Sequence, residues 1–242
     1  MYKLAEPPIL ESQVGLIFKS KIELHTVESS LKKLEASFPK NNKRYNFTQT
    51  ISIDGKEPER GAAREHVGFQ FLSDDSKSSL FINKDSIFFT ELNKYNSWDE
   101  LLKNTLSAFH LLGNELSDTN VVAITSRYIN LIKIQPPFNP FDYFKFFPNV
   151  TSINHNLTMN SLNMNFRVNS NKGHFADVSF YQRGIEQETG KIEFILDIVS
   201  YLNIEMKISE MRLKDNELAS LRDFKNDLFF NLISQEAIEN NR

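Results

Sequence analysis

The sequence contains no cysteine among its 242 residues. Disulfide bonds, thiolate metal ligands and cysteine nucleophiles are therefore excluded from its chemistry. Histidine is scarce as well: the chain has five, and no two of them lie three or four positions apart. That spacing is the one that places two imidazoles on one side of a helix to hold a metal ion. We therefore predict no metal site and no cofactor.

Glycine is also infrequent, and its spacing excludes the common phosphate-binding loops. The eight glycines form neither the Gly-x-Gly-x-x-Gly nor the Gly-x-x-x-x-Gly-Lys pattern. The Gly-x-Ser-x-Gly turn that presents a nucleophilic serine is missing too. The sequence therefore carries no recognised catalytic pattern, and whether the protein is an enzyme stays open, with the balance towards no.

Long apolar segments are absent. No run approaches the roughly 20 residues of a membrane-spanning helix. The first residues lack the apolar stretch that follows the basic start of a secretory signal. We therefore predict a cytoplasmic protein that does not enter a membrane.

Neither sign of charge dominates the chain. It has 28 basic and 31 acidic residues, and residues 1–134 carry 17 of each. A nucleic-acid-binding module needs a concentrated positive surface. The charge distribution therefore argues against a nucleic-acid partner.

What is present is an ordinary globular composition with 40% hydrophobic residues. Hydrophobic periodicity and turn residues predict the order β-α-β-β-β-β-α-β followed by α-β-β-β-α. Hairpins dominate this order, so we predict an α+β fold with two mostly antiparallel sheet-and-helix halves packed together. Three prolines between positions 136 and 140 mark the boundary, which gives halves of 1–135 and 136–242 or a single compact unit.

The first candidate binding residue is Arg127. It shares a face of a predicted strand with Val121, Ala123, Ile129 and Leu131, which favours its burial. A buried guanidinium needs an anionic partner. One interpretation is an internal ion pair with Glu11 or Asp197. The other is a ligand site for an anion, for which the candidate residues are Arg127, Tyr128, Asn130 and Glu11.

Carboxylates on a later strand give a second, weaker possibility. Glu193 and Asp197 share a strand face, and Asp177 or Glu205 would complete an acidic cleft for a divalent cation. A solvated sheet face with alternating charges explains the same residues and is the favoured interpretation.

Two segments in the second half are rich in apolar or aromatic residues. The last helix, predicted over 216–238, has a wide apolar stripe, which we interpret as amphipathic. This stripe either docks on the second sheet or forms an interface with a second copy or another protein. The candidate interface residues are Phe224, Leu228, Phe229, Leu232 and Ile233. Residues 138–147 hold six aromatic residues, which favour packing over a platform for stacking nucleic-acid bases.

Three short motifs resemble a sporadically distributed family of uncharacterised bacterial proteins of about this length. They are Pro-Pro-Ile-x-Glu at residues 7–11, Arg-Tyr-Ile-Asn at residues 127–130, and a C-terminal helix with Phe-Phe at 229–230 and Ile-Ser at 233–234. The resemblance would cover essentially the whole chain. It implies the patchy distribution of mobile or defence-related loci and no established activity.

Together these observations favour a non-enzymatic binding or assembly protein with a protein partner or a homo-oligomeric state. A role as a subunit or accessory of a bacterial defence or mobile-element system is the specific expectation. The first alternative is an enzyme or sensor for a small phosphorylated ligand bound near Arg127. The second is a single-stranded nucleic-acid binder that uses residues 138–147.

Overall fold

The computed structural model describes residues 7–52, 59–146, 162–210 and 216–239. The predicted order of strands and helices is confirmed within these ranges, with one short helix added at the end. The strands are β1 (Ile9–Phe18), β2 (Lys40–Ser52), β3 (Glu59–Leu72), β4 (Ser78–Asn83), β5 (Ser86–Leu92), β6 (Asn120–Ile134), β7 (Asn163–Asn169), β8 (His174–Ile185) and β9 (Ile192–Lys207). The α-helices are α1 (Glu28–Glu35), α2 (Trp98–Leu111), α3 (Pro140–Tyr143), α4 (Asn216–Leu232) and α5 (Gln235–Glu239).

The nine strands form one antiparallel sheet in the order β2-β3-β4-β5-β1-β6-β9-β8-β7. The α+β class and the antiparallel pairing are thus confirmed, but the prediction of two sheets is wrong. The long strand β6 pairs with β1 along one edge and with β9 along the other. Its pairing with β9 runs to Ile134, so the proline-rich segment begins only after the two parts of the sheet have been joined.

Hydrophobic contacts nevertheless fall into two clusters on the sheet. The first surrounds α1 and α2 and is built on β1 and β3–β6, with Leu101 and Leu16 fully buried. The second surrounds α3, α5 and the end of α4 and is built on β6, β8 and β9, with Phe144 and Phe180 at its centre. The helix α4 contributes to both clusters. The division of the chain at residues 135 and 136 stays a prediction.

Alternation along β6 separates the two faces of the sheet. Tyr128 and Ile132 are buried in the clusters beneath the helices, whereas Arg127 and Ile129 are half-buried on the opposite face. Successive side chains of a strand point to opposite faces. The predicted group of Arg127, Tyr128 and Asn130 is therefore split between the two faces.

The predicted C-terminal helix is two helices, since α4 ends at Leu232 and α5 begins at Gln235. Ile233 forms an isolated antiparallel bridge with Phe144, which turns the chain between them. The side of α4 that faces the sheet is apolar except for Lys225. The amphipathic character of this helix stays a prediction. None of the described helices is long and apolar enough to cross a membrane.

Candidate ligand pocket

A pocket of about 370 Å³ lies where the start of β1, the start of α2, β6 and the middle of α4 meet. Seven apolar or aromatic and seven polar residues line it. They are Pro7, Pro8, Ile9, Tyr95, Asn96, Ser97, Trp98, Asp99, Asn130, Arg222, Lys225, Asn226, Phe229 and Phe230. Binding sites for small molecules commonly combine such an apolar lining with a few convergent polar groups.

The apolar wall is held in place by the start of α2 and by α4. The hydroxyl of Ser97 accepts a hydrogen bond from the Glu100 amide at 3.2 Å and caps the first turn of α2. The next residue is Trp98, which is 7% exposed, and Phe229 on α4 is equally buried. The carboxylate of Glu100 accepts from the Asn96 side chain. This N-terminal cap fixes the start of α2 and positions the indole in the pocket wall.

The most unusual lining residue is Lys225. Its side chain is 7% exposed, and no carboxylate in the described part of the chain lies within ion-pair distance of it. Its nitrogen lies 3.7 Å from the centre of the Tyr128 ring. Burial, and secondly the charge of Arg222, lowers the pKa of Lys225 to about 7. The pocket thus contains a lysine that changes charge near neutral pH.

A second cationic side chain, Arg222, lies three residues before Lys225 on the same side of α4. Its guanidinium is partly exposed and donates to the neighbouring Asp223 carboxylate at 3.0 Å. An exposed ion pair of this kind is worth about 1 kcal/mol or less. Arg222 can therefore bind an incoming anion at small cost.

Two tyrosines lie close to Lys225, with Tyr128 beneath its nitrogen and Tyr95 in the pocket lining. The rings of Tyr95 and Tyr128 meet edge to face, with their centres 5.4 Å apart. Burial is the main cause that raises the pKa of each hydroxyl. Both tyrosines therefore stay neutral at physiological pH and cannot compensate the charge of Lys225.

Asn130 brings a hydrogen-bond acceptor to the pocket. Its side-chain amide donates to the carbonyl oxygens of Tyr128 at 3.3 Å and Leu196 at 3.0 Å. These bonds use both amide hydrogens, so the group left for a ligand is the side-chain oxygen.

Three buried serines surround Tyr128 on the helix-covered face of the sheet. Ser12 is directly opposite Tyr128, and Ser126 is directly opposite Ser200. Their hydroxyl oxygens have no hydrogen-bond partner among the described residues. Buried polar groups are normally paired, and exceptions point to a bound water, an ion or a function. The sheet beneath α4 is therefore more polar than a packed core requires.

The structure places the predicted ligand residues in two locations. Asn130 lines the pocket, and Tyr128 lies beneath Lys225. Arg127 is on the opposite face, where it donates to Asp197 at 2.7 and 3.0 Å and lies 3.5 Å from Glu11. Burial raises the pKa of Glu11 despite the nearby guanidinium. Arg127 thus has the internal carboxylate partners that the first interpretation proposed.

The predicted interface residues contribute to the fold of the chain itself. Four of them are at most 8% exposed in the second cluster: Leu228, Phe229, Leu232 and Ile233. The fifth, Phe224, is half-buried and stacks on His174 with a centre distance of 5.2 Å. These five side chains therefore do not form an exposed apolar surface on α4, and the interface stays a prediction.

The aromatic segment 138–147 is mainly a packing element. Tyr143 and Phe144 are buried, and Phe144 contacts the rings of Phe180 and Phe194. Phe141 is the exposed member, at 44%, and residue 147 lies outside the described residues. The packing interpretation is therefore the one that fits this segment.

The carboxylates on β9 are engaged in ion pairs. Asp197 binds Arg127, and Glu193 lies within ion-pair distance of Lys133 and Arg183. Among the described residues, no group of three or more histidine or acidic side chains is placed to hold a metal ion. The favoured interpretation, a sheet face with alternating charges, fits these contacts.

Comparison with family models and with curated sequences adds no relationship. No protein-family model matches the chain, and no curated protein matches its sequence. The resemblance to the sporadically distributed bacterial family stays a prediction.

Sequence reasoning missed Lys225 and Arg222. The signal for Lys225 was available, because it occupies the apolar stripe of α4 together with Leu218, Leu221, Leu228 and Leu232. A lysine in such a stripe is either placed at the solvent end of the helix or buried with a function. Arg222 carried no signal, because the pocket forms only when α2 and the start of β1 come together.

Proposed function

We propose that the protein binds a small anionic ligand with an apolar body in the pocket between α2, α4 and β6. The observation that carries this proposal is Lys225, a nearly fully buried lysine without a described carboxylate partner, which lines the pocket three residues from Arg222. A buried cationic group is costly unless an anion compensates it. A ligand carboxylate or phosphate between the two side chains supplies that compensation.

The remaining lining residues support the same ligand class. Trp98 and Phe229 offer aromatic surface to an apolar body, and the Asn130 oxygen accepts a hydrogen bond from a ligand N–H or O–H group. The proposal keeps the anionic ligand predicted from the sequence. It moves the binding group from Arg127, which already has two carboxylate partners, to Arg222 and Lys225.

The single tryptophan of the chain is Trp98, so its fluorescence reports on this pocket. We expect phenylacetate and phenyl phosphate to change the emission in a saturable way and to raise the melting temperature. The neutral analogue phenylacetamide, which has the same ring without the charge, is expected to bind at least about tenfold more weakly. That factor corresponds to about 1.4 kcal/mol, a moderate value for one charge-assisted contact.

Arg222→Gln is expected to reduce the affinity for both anions by about tenfold or more. The matched control is Arg183→Gln, which removes an exposed arginine with a single long ion pair to Glu193 and is expected to leave the affinity unchanged. Equal binding of the charged and the neutral ring compounds, or no saturable response to any of them, would contradict the proposal.

Three further expectations from the sequence remain proposals. They are the cytoplasmic location, the association with a protein partner or a second copy, and the role in a bacterial defence or mobile-element system. Light scattering of the purified chain tests the self-association. A monomer at all concentrations would remove the homo-oligomer from this set.

A further inference from the structure

The surroundings of Lys225 suit a nucleophilic lysine as well as a lysine that binds an anion. Its side chain is enclosed by α4 and β6, and the pocket gives a ligand access to it. The titratable residues that face it or share the pocket are Tyr128, whose ring it contacts, Arg222, Tyr95 and the exposed Asp99. Lysines become nucleophilic when they are desolvated in an apolar pocket or placed beside another cation. Both conditions hold here.

The neutral form of the Lys225 amine is more stable, relative to its charged form, than that of a lysine in water. The contact with the Tyr128 ring stabilises the ammonium ion. Desolvation and the charge of Arg222 act in the opposite direction and lower the pKa to about 7. About half of the molecules then carry a neutral amine at pH 7, against fewer than about one in a thousand for a lysine in water.

We infer that Lys225 forms an imine with the carbonyl group of an anionic ligand whose carboxylate or phosphate is held by Arg222. The inference rests on the proposed function and narrows the ligand to an aldehyde or ketone that carries a negative charge. Arg222 would fix the anionic end, and the carbonyl carbon would lie at the nitrogen of Lys225, three residues along the same side of the helix.

The reaction needs no further reactant. The lone pair of the neutral amine attacks the carbonyl carbon, and a proton moves from nitrogen to oxygen to give a carbinolamine. The carbonyl oxygen then leaves as water with the two hydrogens of the amine, and a C=N bond takes the place of C=O. The carbinolamine hydroxyl is a donor for which the Asn130 oxygen in the pocket is an acceptor.

The test is reductive trapping with glyoxylate as the anionic aldehyde and cyanoborohydride, which supplies the hydride that converts the imine to a stable secondary amine. Mass spectrometry of the intact protein and of its peptides then locates the modified lysines. We expect Lys225 to be labelled at pH 7 at least about tenfold faster than exposed Lys103 on α2, because burial and the charge of Arg222 lower the pKa of Lys225 to about 7. The rate at Lys225 is expected to rise with pH and level off above about 7.

Two controls connect the labelling to the pocket. Phenylacetate, which has no reactive carbonyl, is expected to protect Lys225 and to leave the labelling of Lys103 unchanged. Arg222→Gln is expected to slow the reaction of Lys225 with glyoxylate more than its reaction with the neutral acetaldehyde. Loss of the guanidinium raises the pKa of Lys225 in both reactions, whereas it removes an anion contact only in the first. Because the wild-type chain itself is mapped, the test does not depend on whether a Lys225 variant folds.

The inference fails if Lys225 is labelled no faster than Lys103 while phenylacetate still binds, and the proposed anion-binding function then stands. If phenylacetate neither binds nor protects and Lys225 is not preferred, both proposals fail. Preferred labelling that Arg222→Gln does not change overturns the assignment of Arg222 to the anionic end.

Discussion

The side-chain nitrogen of Lys225 lies 3.7 Å from the centre of the Tyr128 ring and connects the middle of α4 to the central strand β6. At a desolvated site such a ring contact stabilises the ammonium ion by about 2 kcal/mol or more. A pKa of about 7, against about 10.4 in water, corresponds to a cost of about 4–5 kcal/mol for the charged form, caused by burial and by the charge of Arg222. Because this cost is larger than about 2 kcal/mol, we expect the charged amine to destabilise the folded protein.

Lys225→Met is expected to stabilise the protein near and below neutral pH. The folded-state pKa of about 7 is lower than the unfolded one, so the unfolded chain binds more protons between pH 7 and about 10. The free energy of unfolding of the wild type should therefore rise with pH in that window, and the full penalty should be present below it. Methionine removes the amine, so we expect a gain of up to about 4 kcal/mol at pH 6 that shrinks towards pH 9.

Urea denaturation at pH 6, 7.5 and 9 measures this effect, and Lys103→Met on the exposed side of α2 is the control. The control is expected to change the free energy of unfolding by about 0.5 kcal/mol or less at each pH. A Lys225→Met variant that is less stable than the wild type at pH 6 would show that the amine has a compensating partner.

Ser97→Ala is expected to lower the free energy of unfolding by about 1 kcal/mol. The serine hydroxyl accepts a hydrogen bond from the Glu100 amide at 3.2 Å, and this amide belongs to the first turn of α2. The control is Ser107→Ala at an exposed position of the same helix, where alanine is the better helix former and a slight gain is expected. Chemical denaturation compares the two, and equal effects would mean that the cap contributes nothing.

Gly15→Ala is expected to destabilise the centre of the sheet by several kcal/mol, on the order of 2–4. A Cβ atom built on Gly15 comes within 2.2 Å of the Phe88 ring and 2.9 Å of the Ile87 carbonyl oxygen on β5. Gly184 on β8 is the control, because nothing lies within 4 Å of the corresponding Cβ position. Thermal unfolding distinguishes the two, and a Gly15→Ala variant as stable as Gly184→Ala would contradict this close packing.

The sequence predicts the local elements of this fold well and its long-range pairing poorly. Periodicity located β6, and the prolines at 136, 137 and 140 correctly placed its end. The pairing of β6 with β9 could not be predicted, because it joins residues such as Arg127 and Val199 that are far apart in the chain. A proline boundary shows where a strand ends and carries no information on which strand lies beside it.

In the candidate site, too, local features could be predicted from the sequence and long-range contacts could not. Strand alternation could have separated Arg127 from Tyr128 and Asn130, since neighbouring residues of a strand point to opposite faces. The sequence grouped them because they form one short motif. The pocket could not be predicted, because Pro8, Trp98 and Lys225 come together only through the order of the strands beneath them.

Arg127 and Asp197 are expected to be coupled in stability and to be independent of ligand binding. Their bidentate pair, with distances of 2.7 and 3.0 Å, lies partly buried on the face of the sheet opposite the pocket. A double-mutant cycle with Arg127→Gln and Asp197→Asn is expected to give a coupling free energy of about 1–2 kcal/mol. The control pair Arg167 and Asp177 has side chains that are 58% and 41% exposed and is expected to give less than about 1 kcal/mol.

The same Arg127→Gln variant decides between the two arginines as the anion site. It is expected to bind phenylacetate with unchanged affinity, because the guanidinium of Arg127 is engaged by Asp197 and lies near Glu11. Arg222→Gln is expected to bind phenylacetate about tenfold or more weakly than the wild type. Tryptophan fluorescence of both variants, measured at equal fractions of folded protein, gives the comparison. A loss of affinity in Arg127→Gln with none in Arg222→Gln would return the ligand to the face of the sheet that the sequence first suggested.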